Sequence, residues 1–331
     1  MEPTTGRTVP DFSRRRVDYL RISITDRCNE RCLYCMPEGL PSLMGRREIL
    51  SYEEILEVVA VAVDLGFRKF RITGGEPLVR QDVACFLERL GRMPGIESLG
   101  LSTNGTLLAP LAGRLRDAGV GSVNISLDTL DPQEYKRLAR WELADCVAGI
   151  DAAVRAGFPS VKLNAVLMRG TSESQIVPLI RFAHERGAVV RFIELMPVSR
   201  TEVLRPETFL SVEEVRNMLR AETTLELLDV RLGHGPAAYY RTGEGATVGF
   251  IGAMSNLHFC DACNKIRLTA DGKIRPCLGS HLEFDLRPAL RGGGGREAVV
   301  EVFRRALGLK PAEHDFRGQY HPGRTMTAIG G

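Results

Sequence analysis

Three cysteines, Cys28, Cys32 and Cys35, stand at C-x3-C-x2-C spacing directly after a strand-like run, Leu20-Arg21-Ile22-Ser23-Ile24. Thiolates gathered so closely on one loop suit a soft metal ion or an iron–sulfur cluster. With eight cysteines in 331 residues, such spacing arises by chance in about one chain in two hundred. Buried or disulfide-bonded cysteines are the alternative. A closed structural site takes four protein ligands, so three leave one coordination position open to something else.

A second set, Cys260, Cys263 and Cys277, forms C-x2-C-x13-C and again offers three ligands. A zinc ribbon or knuckle fits this spacing too, with His258 or His281 as fourth ligand. Lys265 and Arg267, two apart on a strand, point the same way beside the metal, which suits an anionic ligand. Cys85 and Cys146 lie in helical stretches without partners at ligand spacing and read as small buried hydrophobes. Among 44 basic residues only six are lysines, and Lys69, Lys162 and Lys265 are three of them.

These residues need a scaffold, and the apolar pattern supplies one. Strand-like runs near 19–25, 67–73, 97–103, 121–128, 161–167 and 188–196 alternate with helical stretches. Ser51 with Glu54, Ser172 with Gln175 and Ser211 with Glu214 predict capping boxes. Asp131-Pro132 predicts an N-cap followed by proline at the first helical position. Six βα repeats argue for a parallel sheet with crossover helices. Strands buried on both faces should be almost continuously apolar, but these alternate. Val123, Ile125 and Leu127 oppose Ser122, Asn124, Ser126 and Asp128; Leu20, Ile22 and Ile24 oppose Arg21, Ser23 and Thr25; Phe70 and Ile72 oppose Arg71 and Thr73. A closed eight-stranded barrel fills its lumen with branched apolar side chains. A polar inner face fits a curved, incomplete (β/α)6 barrel whose lumen is the binding site.

Beyond residue 200 the alternation decays. A helix near 211–221, short strands at 238–241 and 247–252, a hairpin turning at Asp271-Gly272 and a last helix from the glycines at 292–295 to about 307 follow. The domains read as an N-terminal arm (1–17), a barrel core (18–230) and a C-terminal α+β extension (231–331), with Gly330-Gly331 a flexible end by default. The net charge of +3 is too small to argue for nucleic acid. No apolar run reaches the roughly eighteen residues of a membrane span, and residues 1–17 carry no secretory signal, so cytoplasmic residence is expected.

The first cysteine motif, with Tyr34 before its last cysteine, resembles the signature of the radical S-adenosylmethionine (SAM) superfamily. Thr73-Gly74-Gly75-Glu76-Pro77 resembles that superfamily's loop contacting the SAM amino group. Adding the second triad, Arg-Ile-Thr-Gly-Gly-Glu-Pro, Asn-Ile-Ser-Leu-Asp at 124–128, Arg-Phe-Ile-Glu-Leu-Met at 191–196 and the Gly-Gly terminus, the chain resembles the GTP 3′,8-cyclase family of molybdenum cofactor biosynthesis from about residue 18 to 331.

The resemblance implies a partial barrel with two [4Fe–4S] clusters, one on Cys28, Cys32 and Cys35, the other on Cys260, Cys263 and Cys277, at opposite ends of the lumen. It implies that Tyr34, Gly75, Ser126 and Met196 line SAM. Arg21, Arg71, Ser102, Lys162, Lys265, Ile266 and Arg267 would contact GTP, with Arg267 also catalytic and Arg191 and Lys69 as weaker contacts. Lys265 stands where the family more usually shows Arg, which removes a planar fork but keeps a cation. The segment 199–210 reads unlike the family, so no role is carried onto it. The tail would reach into the active site. The implied reaction is cyclisation of GTP by a 5′-deoxyadenosyl radical, with a flavodoxin- or ferredoxin-type electron donor and a downstream cyclic pyranopterin monophosphate synthase. A homodimer is compatible with this reading. Two rival classes are a radical SAM enzyme acting on a peptide and a non-enzymatic iron–sulfur or zinc protein.

Overall fold

The computed structural model describes residues 15–36, 43–199, 203–318 and 320–331. Six strands, β1 (Tyr19–Ser23), β2 (Lys69–Thr73), β3 (Ser98–Thr103), β4 (Ser122–Ser126), β5 (Ser160–Leu167) and β6 (Val189–Glu194), pair in parallel in sequence order. The crossovers carry α1 (Tyr52–Asp64), α2 (Val83–Gly91), α3 (Ala112–Asp117), α4 (Pro132–Ala139), α5 (Leu143–Arg155) and α6 (Ile176–Glu185). The helices cover one face. Leu20, Ile22, Phe70, Ile72, Leu101, Val123, Ile125, Leu163 and Val190 are buried there in a single apolar core. Burial of one strand parity against helices is what the alternating pattern requires.

The C-terminal part extends the same sheet from both edges. After α7 (Val212–Glu222) come β7 (Leu225–Leu228), β8 (Ala238–Thr242) and β9 (Thr247–Ile251), with β9 parallel to β6. Then β10 (Lys265–Leu268) pairs in parallel with β1, and β11 (Lys273–Arg275) and β12 (Phe284–Asp285) continue antiparallel. The order β12-β11-β10-β1-β2-β3-β4-β5-β6-β9-β8-β7 leaves β1 and β6 unpaired with each other, so the barrel is incomplete. Finally α8 (Arg287–Arg291), α9 (Gly295–Gly308) and α10 (Met326–Ile329) complete the chain.

Local signals held in most places. Ser51 and Ser211 each accept from the backbone N–H three residues on, while Glu54 and Glu214 close the reciprocal half of the capping box. Asp131 caps α4 through Gln133 N and Glu134 N, with Pro132 at the first position. Gly272, at φ +78°, turns the β10–β11 hairpin.

Several expectations fail. Ser172 and Gln175 form no capping box: the Ser172 hydroxyl accepts from Met168 N at 2.9 Å, and Gln175 Oε1 accepts from Leu130 N at 2.9 Å. A backbone N–H four residues back and a partner 45 residues away replace the reciprocal cap. Cys146 is buried as expected, but Cys85 is exposed, because α2 turns Val83, Ala84, Phe86, Leu87 and Leu90 inward and Cys85 out. The helix ending at Gly308 is not the last, since the tail forms α10. Of the arm at 1–17, residues 1–14 lie outside the described residues, and Val17 is buried in the core.

Candidate active site

The polar strand parity builds the site. Cross-strand register sets Arg71 on β2 beside Arg21 on β1, and Arg21 beside Arg267 on β10, a row of three guanidinium groups. On the facing strands Asn124 pairs with Lys162 and Asn164 with Arg191. All of these line one cavity of about 710 Å³, within the usual range for small-molecule sites. Lys265, Ser102 and Ser126 line it as well. The hydrogen bonds of Arg71, Arg191 and Lys162 run to neutral groups. Arg71 donates to the Tyr19 hydroxyl (2.8 Å), Leu101 O (2.6 Å) and Ser122 Oγ (2.7 Å). Arg191 donates to Asn164 Oδ1, and Lys162 to Ser160 Oγ. Burial pulls the Arg21 guanidinium down to about 10, Arg267 to about 9 and Lys162 to about 8, and neighbouring cations add to each. Arg21 Nε and Asn124 Oδ1 are buried with no protein partner. Unbalanced buried cations and orphaned polar atoms mark a surface shaped for a polyanion.

The two cysteine triads open on this same cavity. Cys28, Cys32 and Cys35 follow the C-terminal end of β1. Cys260 and Cys263 precede β10, which runs parallel to β1 with Lys265 beside Tyr19. Cys277 follows the antiparallel β11, so the second triad lies at the opposite end of the strands.

The first loop is held by Arg31 N to Ala139 O (2.9 Å) and Leu33 N to Leu138 O (3.0 Å), which dock it on the end of α4. Burial pushes its thiols up, Cys35 to about 12. Thiols in such a setting become ligands only if a metal centre takes up the negative charge. At the second triad the Lys310 ammonium lies 3.7 Å from Cys263 Sγ. Burial raises Cys263, yet Lys310 and Lys265 outweigh it and hold the thiol below its ordinary value. Among the described residues no three His, Cys, Asp or Glu side chains converge as ligands of a single ion. His258 contacts Asp261 at 3.0 Å, and His281 stacks on Tyr320 at 4.8 Å, so both suggested zinc ligands are engaged elsewhere.

Gly75 sits where backbones meet. Its N–H donates to Thr25 O and Glu76 N–H to Arg27 O, both at 2.8 Å, locking the Gly-Gly turn against the residues before Cys28. Tyr34 donates to Asp128 Oδ2 at 2.8 Å, and Met196 lines the same end of the cavity.

Two expected contacts are not in the lumen. Ile266 has the other parity and is fully buried in the core. Lys69 is turned away to Asp18, 2.7 Å off.

The tail does enter. The Thr73 hydroxyl donates to Gly331 O at 2.7 Å, Arg21 also donates to Gly331 O, and Arg267 donates to Gly330 O. Sequence reasoning missed Lys310, Asn104 and Glu76. Glu76 is fully buried and accepts from Thr103 Oγ1, Asn104 N and Leu78 N at 2.7–2.9 Å. A lone lysine in a helix-terminal turn carries no signal of its own, whereas Glu76 was in view as part of the quoted motif.

Partial barrel, open cysteine triad and Gly-Gly turn together define the radical SAM class. A radical SAM superfamily model matches residues 22–183, and one described as molybdenum cofactor synthesis C matches 188–316. Curated proteins named GTP 3′,8-cyclase match almost end to end. The one from Moorella thermoacetica is 43% identical, covering 97% of this chain and 99% of its own; that from Thermodesulfovibrio yellowstonii is 44% identical at the same coverage. The chain belongs to the GTP 3′,8-cyclase family. A crystal structure of Streptococcus suis SuiB bound to precursor peptide SuiA shares the fold at TM-score 0.58 and 16% identity, covering 92% of this chain and 76% of that one. Family membership brings SAM and a [4Fe–4S] cluster, and the donor chemistry of Cys28, Cys32 and Cys35 fits that cluster. No helix among the described residues is long and apolar enough to cross a membrane.

Proposed function

We propose that this chain is a GTP 3′,8-cyclase of molybdenum cofactor biosynthesis that holds GTP between two [4Fe–4S] clusters. The observation that supports this best is the cation set, Arg21, Arg71, Lys162, Arg191, Lys265 and Arg267, lining one cavity with a cysteine triad at each end. A peptide-acting enzyme has no evident use for so much unbalanced buried positive charge. The domain division at 18–230 and 231–331, with an arm at 1–17, belongs to the same reading.

When bound, the first cluster and SAM would supply a 5′-deoxyadenosyl radical able to remove the C3′ hydrogen of GTP; bonding of C3′ to guanine C8, with one further electron from the donor and a proton taken up at N7, would give (8S)-3′,8-cyclo-7,8-dihydroguanosine 5′-triphosphate. The protein binds, orients and excludes water. Cys28, Cys32 and Cys35 hold the cluster at the mouth of β1; Tyr34, Gly75, Ser126 and Met196 form the wall for SAM. Arg21, Arg71, Ser102 and Lys162 grip the nucleotide, while Cys260, Cys263 and Cys277 hold the second cluster with Lys265 and Arg267 beside it. Fixing the two reactants in one lumen turns a bimolecular step into a local one. Electrons come from a low-potential donor of flavodoxin or ferredoxin type, and the product passes to a cyclic pyranopterin monophosphate synthase.

The test is anaerobic incubation of reconstituted protein with SAM and reductant, with and without GTP. GTP-dependent 5′-deoxyadenosine is expected. In Cys277→Ser, SAM cleavage should persist in part while cyclisation is lost. Normal cyclisation in that variant contradicts the second-cluster role, and 5′-deoxyadenosine formation indifferent to GTP contradicts the substrate.

A further inference from the structure

The segment Leu232 to Pro236, between β7 and β8, lines the cavity at the cationic end. It is a strap from one wall to the other. A Cβ placed on Gly233 would lie 3.5 Å from Lys162 Nζ, and one on Gly235 would lie 3.7 Å from Arg191 Nη1, so the strap's backbone rests on β5 and β6 cations. Gly233 has φ +102°, a conformation that favours glycine. The Tyr239 hydroxyl donates to Leu232 O at 3.3 Å and anchors the near end. Between the two glycines the His234 ring reaches across to Tyr19 of β1 and meets it edge-on, with centroids 6.1 Å apart at 76°. Tyr19 in turn accepts from Arg71 and lies under the Lys265 ammonium.

We propose that His234 is a further phosphate-binding residue of the nucleotide site, protonated when the polyphosphate is bound. The inference rests on the nucleoside triphosphate reading above. The groups facing His234 are Lys69, Arg71 and Lys265, with Asp18 the one carboxylate and Tyr19 the contacting phenol. Partial desolvation and the three cations, opposed by Asp18, hold the imidazole below its ordinary pKa of 6.5, so without ligand it is neutral near pH 7. A polyanion among those cations reverses their effect on the ring and favours imidazolium, which adds a charge-assisted hydrogen bond. Affinity gained this way is full below the free-state pKa and fades as pH rises through the bound-state value.

The experiment is equilibrium binding of GTP to anaerobically reconstituted wild-type, His234→Ala and His234→Gln protein at pH 6.0 and 8.5. Taking the ratio of variant to wild-type Kd removes titration of the γ-phosphate and of Lys162, which all three share. The Ala variant should bind about tenfold more weakly at pH 6.0, the scale of one charge-assisted hydrogen bond. That ratio should shrink at pH 8.5, where Gln should match wild type. Guanosine, lacking phosphates, should not distinguish the three proteins. Equal GTP affinity in all three at pH 6.0 overturns the inference alone. Wild-type protein that cleaves SAM yet binds no GTP at either pH overturns the cyclase reading and the inference with it.

Discussion

Gly75→Ala is the sharpest perturbation of the SAM end. An added Cβ would stand 2.4 Å from Arg27 O, 2.7 Å from Arg27 C and 3.0 Å from Asp26 O. The shortest of these is about 1 Å inside ordinary contact, and the atoms it meets are backbone, which cannot swing aside. The turn must therefore separate from the Asp26-Arg27 segment, stretching the two 2.8 Å hydrogen bonds, Gly75 N to Thr25 O and Glu76 N to Arg27 O. Arg27 adjoins Cys28, so the shift passes to the cluster ligand and to the SAM wall together. Displacing reacting groups by 1 Å costs about 10²-fold in rate, and weakening two hydrogen bonds costs about 1 kcal/mol each. The assay is 5′-deoxyadenosine formed per minute by anaerobically reconstituted protein. Gly113→Ala, whose Cβ meets nothing within 4 Å, is the control and should match wild type. Gly75→Ala protein with a full iron load and a rate within about threefold of wild type, far short of the loss expected from misplacement, would refute the reasoning.

Lys162 titrates near 8 in the free protein because of burial and the adjoining Arg191 and Arg71. KM for GTP should therefore climb as pH rises through 8, whereas Lys162→Arg should flatten that limb and Lys162→Ala should raise KM about tenfold at pH 7. Arg324 donates to Asp271 at 2.8 Å and to Glu283 at 3.1 Å, latching the tail to the β10–β11 hairpin. Arg324→Ala should cost roughly 2 kcal/mol locally, read as faster amide exchange across 320–331 and lower turnover with β1–β6 protection unchanged. Burial raises Asp271, but Arg324 outweighs it and holds the carboxyl below the ordinary range. The latch is thus present above that range and should release as pH falls below it, which the same exchange experiment detects. Ser51→Ala and Ser211→Ala each remove one half of a capping box and should lower stability by about 1 kcal/mol, measured by thermal unfolding.

The strand parity made much of this legible in advance. Alternation puts Arg21, Arg71 and Ser126 on a polar face, and with Ser102 and Lys162 they share one cavity because parallel register aligns them. The incomplete barrel followed from the same feature. What escaped was set by partners distant in sequence. Lys69 has the right type and the parity of Arg71, but at the start of β2 its ammonium is drawn to Asp18, 51 residues away. Ile266 lies between two lumen cations and for that reason faces the core. Glu194, in a quoted motif, proved to be a brace, accepting from Val212 N, Met254 N and Ser255 N and so tying the C-terminal extension to β6. Edge strands β7 and β12, of four and two residues, are too short to show a period.

The account stands on one substrate being held within reach of the radical by a lumen with a cysteine triad at each end. Incubating the reconstituted protein with SAM, reductant and GTP deuterated at C3′ tests that directly by mass spectrometry of the nucleoside product. The account predicts 5′-deoxyadenosine carrying the deuterium, formed only when GTP is present. Unlabelled 5′-deoxyadenosine from the deuterated substrate would contradict it.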